Sequence, residues 1–201
     1  MEAHVLESLK KLSLSMFRKH FFGIFLGSIS TKMEGGHFLI NKKGAIFDDL
    51  NKDSFIALYH KQDYRWNEAS MDAFIHSILY KNIPSAKYIA YGMPPFTIAY
   101  TLSHKNVAPK DYFGKKYLGN IEVYNPKDDE TWLERADVEI NRYFKESGKK
   151  VMIIRGYGVY VYHRDIEMLS KMVALLENSC KILHFDSILE GSKNAQDLFD
   201  I

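Results

Sequence analysis

The feature that most constrains the fold is a pair of short β-rich runs in the C-terminal third of the sequence. Two runs of β-branched and aromatic residues, Val151 to Ile154 and Val159 to Tyr162, are separated only by Arg155-Gly156-Tyr157-Gly158. Runs of this composition predict strands, and the two glycines permit the positive φ angles of a tight hairpin turn. A hairpin pairs its strands antiparallel, so the sheet that contains it is mixed or antiparallel.

Helical periodicity alternates with such strands along the rest of the chain. The clearest helix has Met71, Phe74, Ile75, Ile78 and Leu79 at the spacing of one helical face and ends before Pro84. Other helices are predicted within residues 2–20, 96–103 and 132–144, and from Asp165 to about His184. Further strands are predicted over 37–41, 54–60, 86–91 and 121–124, with a turn over 27–30. Thr131 and Glu134 have capping-box spacing.

Composition limits the class of protein. The 201 residues are enough for one domain, predicted over 1–201, and the formal net charge of +2 gives no general attraction to nucleic acid or membrane. Lysines occur as separated pairs, with no long basic run. A single cysteine, Cys180, excludes an internal disulfide, and the apolar stretch from Phe21 to Leu26 is too short to cross a bilayer. We therefore expect a cytoplasmic protein.

Four segments in order resemble the class II aldolase/adducin family, which includes fuculose-phosphate aldolases and ribulose-phosphate 4-epimerases. They are Gly27-Ser28-Ile29-Ser30, HFLINKKGAIFDDL over 37–50, Ala69-Ser70-Met71-Asp72 at the start of a helix, and the pair of segments 88–95 and 153–161. The resemblance extends from about residue 5 to 185. It implies a three-layer α/β/α sandwich around a mixed, mostly antiparallel sheet. It also implies a homo-oligomer, expected to be a tetramer with sites between subunits.

The resemblance places three non-histidine residues at the family's metal positions. Family aldolases bind zinc through two strand histidines and one hairpin histidine, and these positions are Tyr91, Met93 and Tyr157 here. A neutral phenol is a poor ligand and a thioether suits soft metals, so we expect no zinc cofactor and no metal-dependent chemistry. The family's acid/base glutamate is replaced by Asp72, and Tyr112 matches a tyrosine that protonates the departing aldehyde in some members. Both remain candidate catalytic residues.

The phosphate-binding side of the family site is partly retained. The resemblance assigns a substrate phosphate, or another small anion, to six residues: Gly27, Ser28, Ser30, Lys43, Gly44 and Ser70. Each has a structural alternative. The glycines also suit turns, Ser70 could cap the following helix, Asp72 could complement its dipole, and Lys42-Lys43 could be a solvated turn.

Three functions remain open on the sequence. The protein could be a non-catalytic binding or oligomeric interaction module, and this is the preferred interpretation because all three metal ligands are absent together. It could instead be a sugar-phosphate lyase or epimerase with altered, metal-independent chemistry. It could also be a regulatory subunit that joins an active homologue. A pocket filled by Tyr91 and Tyr157 favours the module, whereas an open polar pocket favours the enzyme.

Overall fold

The sheet predicted from the hairpin has eight strands. A computed structural model describes residues 2–24 and 26–197, so residues 1, 25 and 198–201 of the predicted domain lie outside the described residues. The strands are β1 (Ser28–Lys32), β2 (His37–Asn41), β3 (Phe55–Tyr59), β4 (Tyr88–Gly92), β5 (Asn106–Val107), β6 (Ile121–Tyr124), β7 (Val151–Ile154) and β8 (Gly158–His163). Their order is β3-β2-β1-β4-β8-β7-β6-β5, and β6 with β7 is the parallel pair among them.

Helices cover both faces of this sheet. They are α1 (Glu2–Arg18), α2 (Ala73–Asn82), α3 (Pro95–Ser103), α4 (Tyr112–Tyr117), α5 (Trp132–Ser147) and α6 (Ile166–Asp197). Helices α1, α3 and α4 pack with α6 over one face, and α2 packs with α5 over the other. Alternate residues of each strand enter two separate apolar cores, which is the expected consequence of the strand period of two. The predicted three-layer α/β/α sandwich is confirmed.

Three local predictions were wrong. Residues 28–30 belong to strand β1 and do not form a turn, because their side chains alternate between the two cores and their backbone pairs on both sides. Thr131 does not cap α5 with its side chain; its hydroxyl instead donates to Asp128 Oδ2 at 2.7 Å. The predicted inward face of α2 was rotated, since Met71 and Phe74 are exposed while His76 and Tyr80 are buried.

The remaining differences lie at the ends of elements and in short elements such as α4 and β5, neither of which was predicted. Helix α4 was not predicted, because its six residues are too few to show a helical period. Helix α6 continues well beyond His184. No helix in the described part of the chain is both long and apolar enough to span a bilayer.

Candidate active site

A row of polar side chains crosses the centre of the sheet on the face covered by α2. Backbone pairing places Ser28 of β1 opposite Tyr91 of β4, and Tyr91 opposite Tyr160 of β8. Residues paired directly across strands point to the same face, so all three side chains face the start of α2. Each is buried, at 0%, 7% and 0% exposed respectively. The sheet register therefore assembles this part of the site.

Asp72 faces this row from the residue that precedes α2. The Tyr160 hydroxyl donates to Asp72 Oδ1 at 2.7 Å, and Ser28 also hydrogen-bonds to the carboxyl group. Burial raises the pKa of Asp72 above its ordinary value, and the hydrogen bonds from Tyr160 and Ser28 only partly oppose this effect. The side chain makes no capping hydrogen bond to α2 and instead contacts Tyr160 of the sheet.

His76 connects two of the predicted phosphate ligands in a buried network. Its Nε2 lies 3.0 Å from Ser28 Oγ, and its Nδ1 lies 2.6 Å from Ser30 Oγ. Ser30 Oγ is also 2.6 Å from the Tyr80 hydroxyl. Burial lowers the pKa of His76 to about 3, so the ring is neutral and can donate to one serine while accepting from the other. The hydroxyl groups of Ser28 and Ser30 therefore form hydrogen bonds to side chains of α2 and face the protein interior.

Tyr91, Met93 and Tyr157, the residues at the family's metal positions, pack in or beside an aromatic cluster. The Tyr91 ring centre lies 5.2 Å from that of Tyr157 and 4.8 Å from that of Tyr160. The Tyr91 hydroxyl donates to the Tyr157 carbonyl at 2.8 Å. Met93 is partly buried and packs against the same core. Gly158 makes room for the cluster, because a Cβ at this position would overlap the Tyr91 ring.

The donor atoms of this cluster do not fit a zinc ion. Burial raises the pKa of Tyr91, and burial also raises the pKa of Tyr157 to about 12. Both phenols are therefore neutral at physiological pH, and the Tyr91 oxygen already donates to a backbone carbonyl. Among the described residues, no group of three His, Cys, Asp or Glu side chains is arranged to hold a metal. The chemistry of the ligands, and not the shape of the backbone, argues against zinc here.

A groove with a volume of about 330 Å³ opens beside Asp72. Its walls come from the start of α2, the first turns of α5 and Tyr157. Asp72, Glu134 and Asp137 are the acidic side chains that line it, and no lysine or arginine is among its lining residues. None of the six predicted phosphate ligands lines this groove. Its carboxyl groups make it unsuited to a phosphate dianion.

The predicted phosphate ligands divide into two groups. Gly27 precedes the buried serines of β1, with a φ of +132° and close contact to Phe22. Lys43 and Gly44 instead occupy an exposed turn, and Ser70 lies beside it. This proximity follows from two backbone bonds, Lys43 N to Glu68 O and Ser70 N to Asn41 O, both 3.0 Å.

The second group keeps features suited to an anion. Neither backbone conformation nor packing requires glycine at position 44, where a Cβ would meet no atom within 4 Å. Lys43 forms no ion pair with another described residue. Ser70 Oγ is 3.5 Å from Asp72 N, a distance too long for a strong cap of α2. Lys43 and Gly44 are exposed and remain suited to an accessible anion site, whereas Ser70 beside them is buried.

Tyr112 lies apart from Asp72 within one chain. It begins α4, which packs with α6 on the opposite face of the sheet from α2, and its side chain is 68% exposed. It contacts Phe113 and Lys116. A role in proton transfer would need a site on a second copy, and it stays a prediction.

Tyr160 was not identified from the sequence, and no function was assigned to His76. Tyr160 had a usable signal, because alternation in Val159-Tyr160-Val161-Tyr162 places it on one face of the hairpin strand. The same alternation could not show that Tyr160 would stand opposite Tyr91, since that depends on the register between distant strands.

Solved structures of known proteins share this fold. The structure is similar to l-fuculose-1-phosphate aldolase from Thermus thermophilus, with a TM-score of 0.84, 20% identity and coverage of 94% of this chain and 97% of that chain. It is also similar to YgbL, a putative aldolase/epimerase/decarboxylase from Escherichia coli, with a TM-score of 0.75, 15% identity and coverage of 90% and 89%. A sugar-phosphate aldolase from Thermotoga maritima matches with a TM-score of 0.69, 15% identity and coverage of 92% and 97%. The fold is therefore that of class II aldolases.

Sequence comparison gives the family directly. The pattern described as Class II Aldolase and Adducin N-terminal domain matches residues 7–184. The chain belongs to this family, as the four ordered segments predicted. Comparison with curated proteins gave no match.

Proposed function

We propose that this protein is a class II aldolase-like binding or interaction module without metal-dependent aldolase activity. The observation that carries the proposal is the position of Tyr91. Its ring packs against Gly158 and Tyr160, and its hydroxyl donates to the Tyr157 carbonyl. Two of the three residues that would have to hold a metal are therefore engaged with each other.

The environment of Asp72 supports the same proposal. A base that takes a proton from a sugar must reach the substrate, whereas Asp72 is only 8% exposed and accepts from Tyr160. The phenols around it have raised pKa values, so none supplies an accessible anion at neutral pH. This cluster resembles a packed core more than a reaction centre.

A cleavage assay tests the loss of aldolase activity. Purified protein is incubated with a panel of ketose 1-phosphates, with and without added zinc, and aldehyde release is followed by a coupled dehydrogenase. The expected result is no release above that of a protein-free control in either condition. Zinc-dependent release would contradict the proposal, and its loss in Tyr91→Phe would identify the phenol as a working ligand.

The module is expected to act in the cytoplasm as a homo-oligomer. Three exposed apolar side chains that line the Asp72 groove support the homo-oligomer. Met71, Phe74 and Leu133 are 80%, 47% and 65% exposed. Adjacent exposed apolar groups are typical of surfaces that a partner covers. Light scattering tests the expectation. A monomeric mass across a wide concentration range would contradict the homo-oligomer. An oligomer whose mass is unchanged in Leu133→Glu would show that this surface is not its interface.

The alternative is a sugar-phosphate lyase or epimerase that works without metal. The observation that favours it is the raised pKa of Asp72 beside an open groove, because a carboxyl group of this kind can act as a general acid or base. It predicts anion binding near Lys43, Gly44 and Ser70, and turnover that is lost in Asp72→Asn. Calorimetric titration with inorganic phosphate, compared between the native protein and Lys43→Ala, tests the anion site. Turnover of a sugar phosphate that is lost in Asp72→Asn separates this alternative from the module.

A further inference from the structure

Lysines from three segments that are distant in sequence line one cavity or lie beside it. Lys149 and Lys150 line a cavity of about 310 Å³ together with Tyr117. The ammonium groups of Lys116 and Lys171 lie 5.6 Å and 4.5 Å from the centre of the Tyr117 ring. Folding therefore brings four lysines, two from helices α4 and α6 and two from the loop before β7, to one cavity and the aromatic side chain at its edge.

This cavity is separate from the candidate active site. Lys149 and Lys150 immediately precede β7, whereas the turn that carries Tyr157 follows it, so the two sites lie at opposite ends of that strand. They also lie on opposite faces of the sheet. The cavity walls include Leu118, Ile121, Val151 and Met172, which belong to the core beneath α6.

The lysines form an uncompensated positive rim. None of the four makes an ion pair with a described residue, and no carboxylate lines the cavity. Glu122 is next to Ile121 but its charge acts on Tyr143, which belongs to the opposite layer. The Lys149 ammonium donates to the Asn120 carbonyl at 3.1 Å, which holds it at the rim. Clustered ammonium groups without counter-charges attract a multiply charged anion.

The inner wall of the cavity indicates a second property of a ligand that would fit it. It is apolar, and the Tyr117 ring, 36% exposed, stands beside it. A bare phosphate would leave these surfaces in contact with water, whereas a flat ring attached to a phosphate would cover them. The volume lies at the lower end of the range for small-molecule sites.

We propose that this cavity binds a small phosphorylated ligand that carries an aromatic ring, as a nucleotide does. The phosphates contact the ammonium groups of Lys149, Lys150 and Lys171, and the ring packs against Tyr117 and the apolar wall. Ammonium-to-phosphate hydrogen bonds are charge-assisted, and they set the dominant part of the affinity. The site is independent of the proposed function, because it shares no residue with the Asp72 cluster.

Calorimetry on the full chain tests the proposal with three probes: ATP, inorganic tripolyphosphate and adenosine. ATP is expected to bind more tightly than tripolyphosphate, and adenosine more weakly than either. Lys149→Ala/Lys150→Ala is expected to weaken ATP binding by about tenfold or more. Lys10→Ala/Lys11→Ala removes the same formal charge on α1 and is the matched control, expected to leave the affinity unchanged. Circular dichroism confirms that both double variants are folded.

Tyr117→Ala separates the ring contact from the charge. It is expected to reduce the affinity for ATP but not that for tripolyphosphate. Equal affinities of the native protein for ATP and tripolyphosphate would overturn the proposal, since the apolar wall would then contribute nothing. Equal weakening by the two double variants, or no ATP binding, would also overturn it. An oligonucleotide that binds more tightly than ATP, with the same dependence on Lys149 and Lys150, would replace it with a nucleic-acid surface.

Discussion

Gly158→Ala tests whether the Tyr91 ring occupies the centre of the site. A Cβ at position 158 would overlap Tyr91 Cε2 and lie 2.8 Å from the Gly92 carbonyl oxygen. The ring is held by its hydrogen bond to the Tyr157 carbonyl and by the neighbouring Tyr160 ring, so it cannot move freely. Overpacking of this kind costs about 1–3 kcal/mol, and the φ of +157° at Gly158 adds backbone strain that does not depend on Tyr91, so we expect the free energy of unfolding to fall by at least that amount.

A double-mutant cycle assigns this loss to Tyr91. Urea unfolding is measured for Gly158→Ala in the native, Tyr91→Ala and Tyr91→Phe backgrounds. The cost should fall by about 1 kcal/mol or more in Tyr91→Ala, where the ring is gone. It should persist in Tyr91→Phe, where the ring remains. Gly44→Ala is the matched control, expected to cost nothing because no atom lies within 4 Å of its Cβ.

The reasoning would be refuted by equal costs of Gly158→Ala in all three backgrounds. That result would mean that the Tyr91 ring does not lie against Gly158. The site would then have room for a ligand that the present account excludes.

Two further predictions concern buried carboxyl groups. The pKa of Asp72 in the folded protein is raised above 3.8, so the folded state favours the protonated carboxyl group, and the free energy of unfolding falls as the pH rises from 3.8 through the folded pKa. Urea unfolding measured over this pH range should show the decline in the native protein but not in Asp72→Asn. The exposed Asp48→Asn is the control and should keep the decline. Glu177 accepts from the backbone N–H groups of Phe96 and Thr97 at 2.9 and 2.8 Å and so caps α3. Glu177→Ala should cost about 2 kcal/mol in thermal unfolding, and an unchanged midpoint would contradict this role.

The sequence predicts the layers of this fold better than it predicts the site. The hairpin over 151–162 was predicted from composition and its two glycines, because strand pairing between neighbours is a local matter. The inward face of α2 was wrong because Met71 and Phe74 are more apolar than His76 and Tyr80, yet the latter pair is buried by hydrogen bonds to Ser28 and Ser30.

The site itself depends on contacts between distant strands. Tyr160 could be placed on one face of β8 by alternation, but its bond to Asp72 needs the register of β8 against β4. The same holds for Ser30, which matches a phosphate-binding position in the sequence and faces His76 in the structure. A motif identifies which residues are present, and the register decides which of them face a ligand.

Zinc content tests the central claim most directly. The native protein, Tyr91→Phe and Tyr157→Phe are incubated with zinc chloride, passed through a desalting column and analysed by inductively coupled plasma mass spectrometry. Because both phenols are neutral and Tyr91 donates to a carbonyl, the account predicts the same substoichiometric zinc in all three proteins. Stoichiometric zinc in the native protein that is lost in either variant would contradict it.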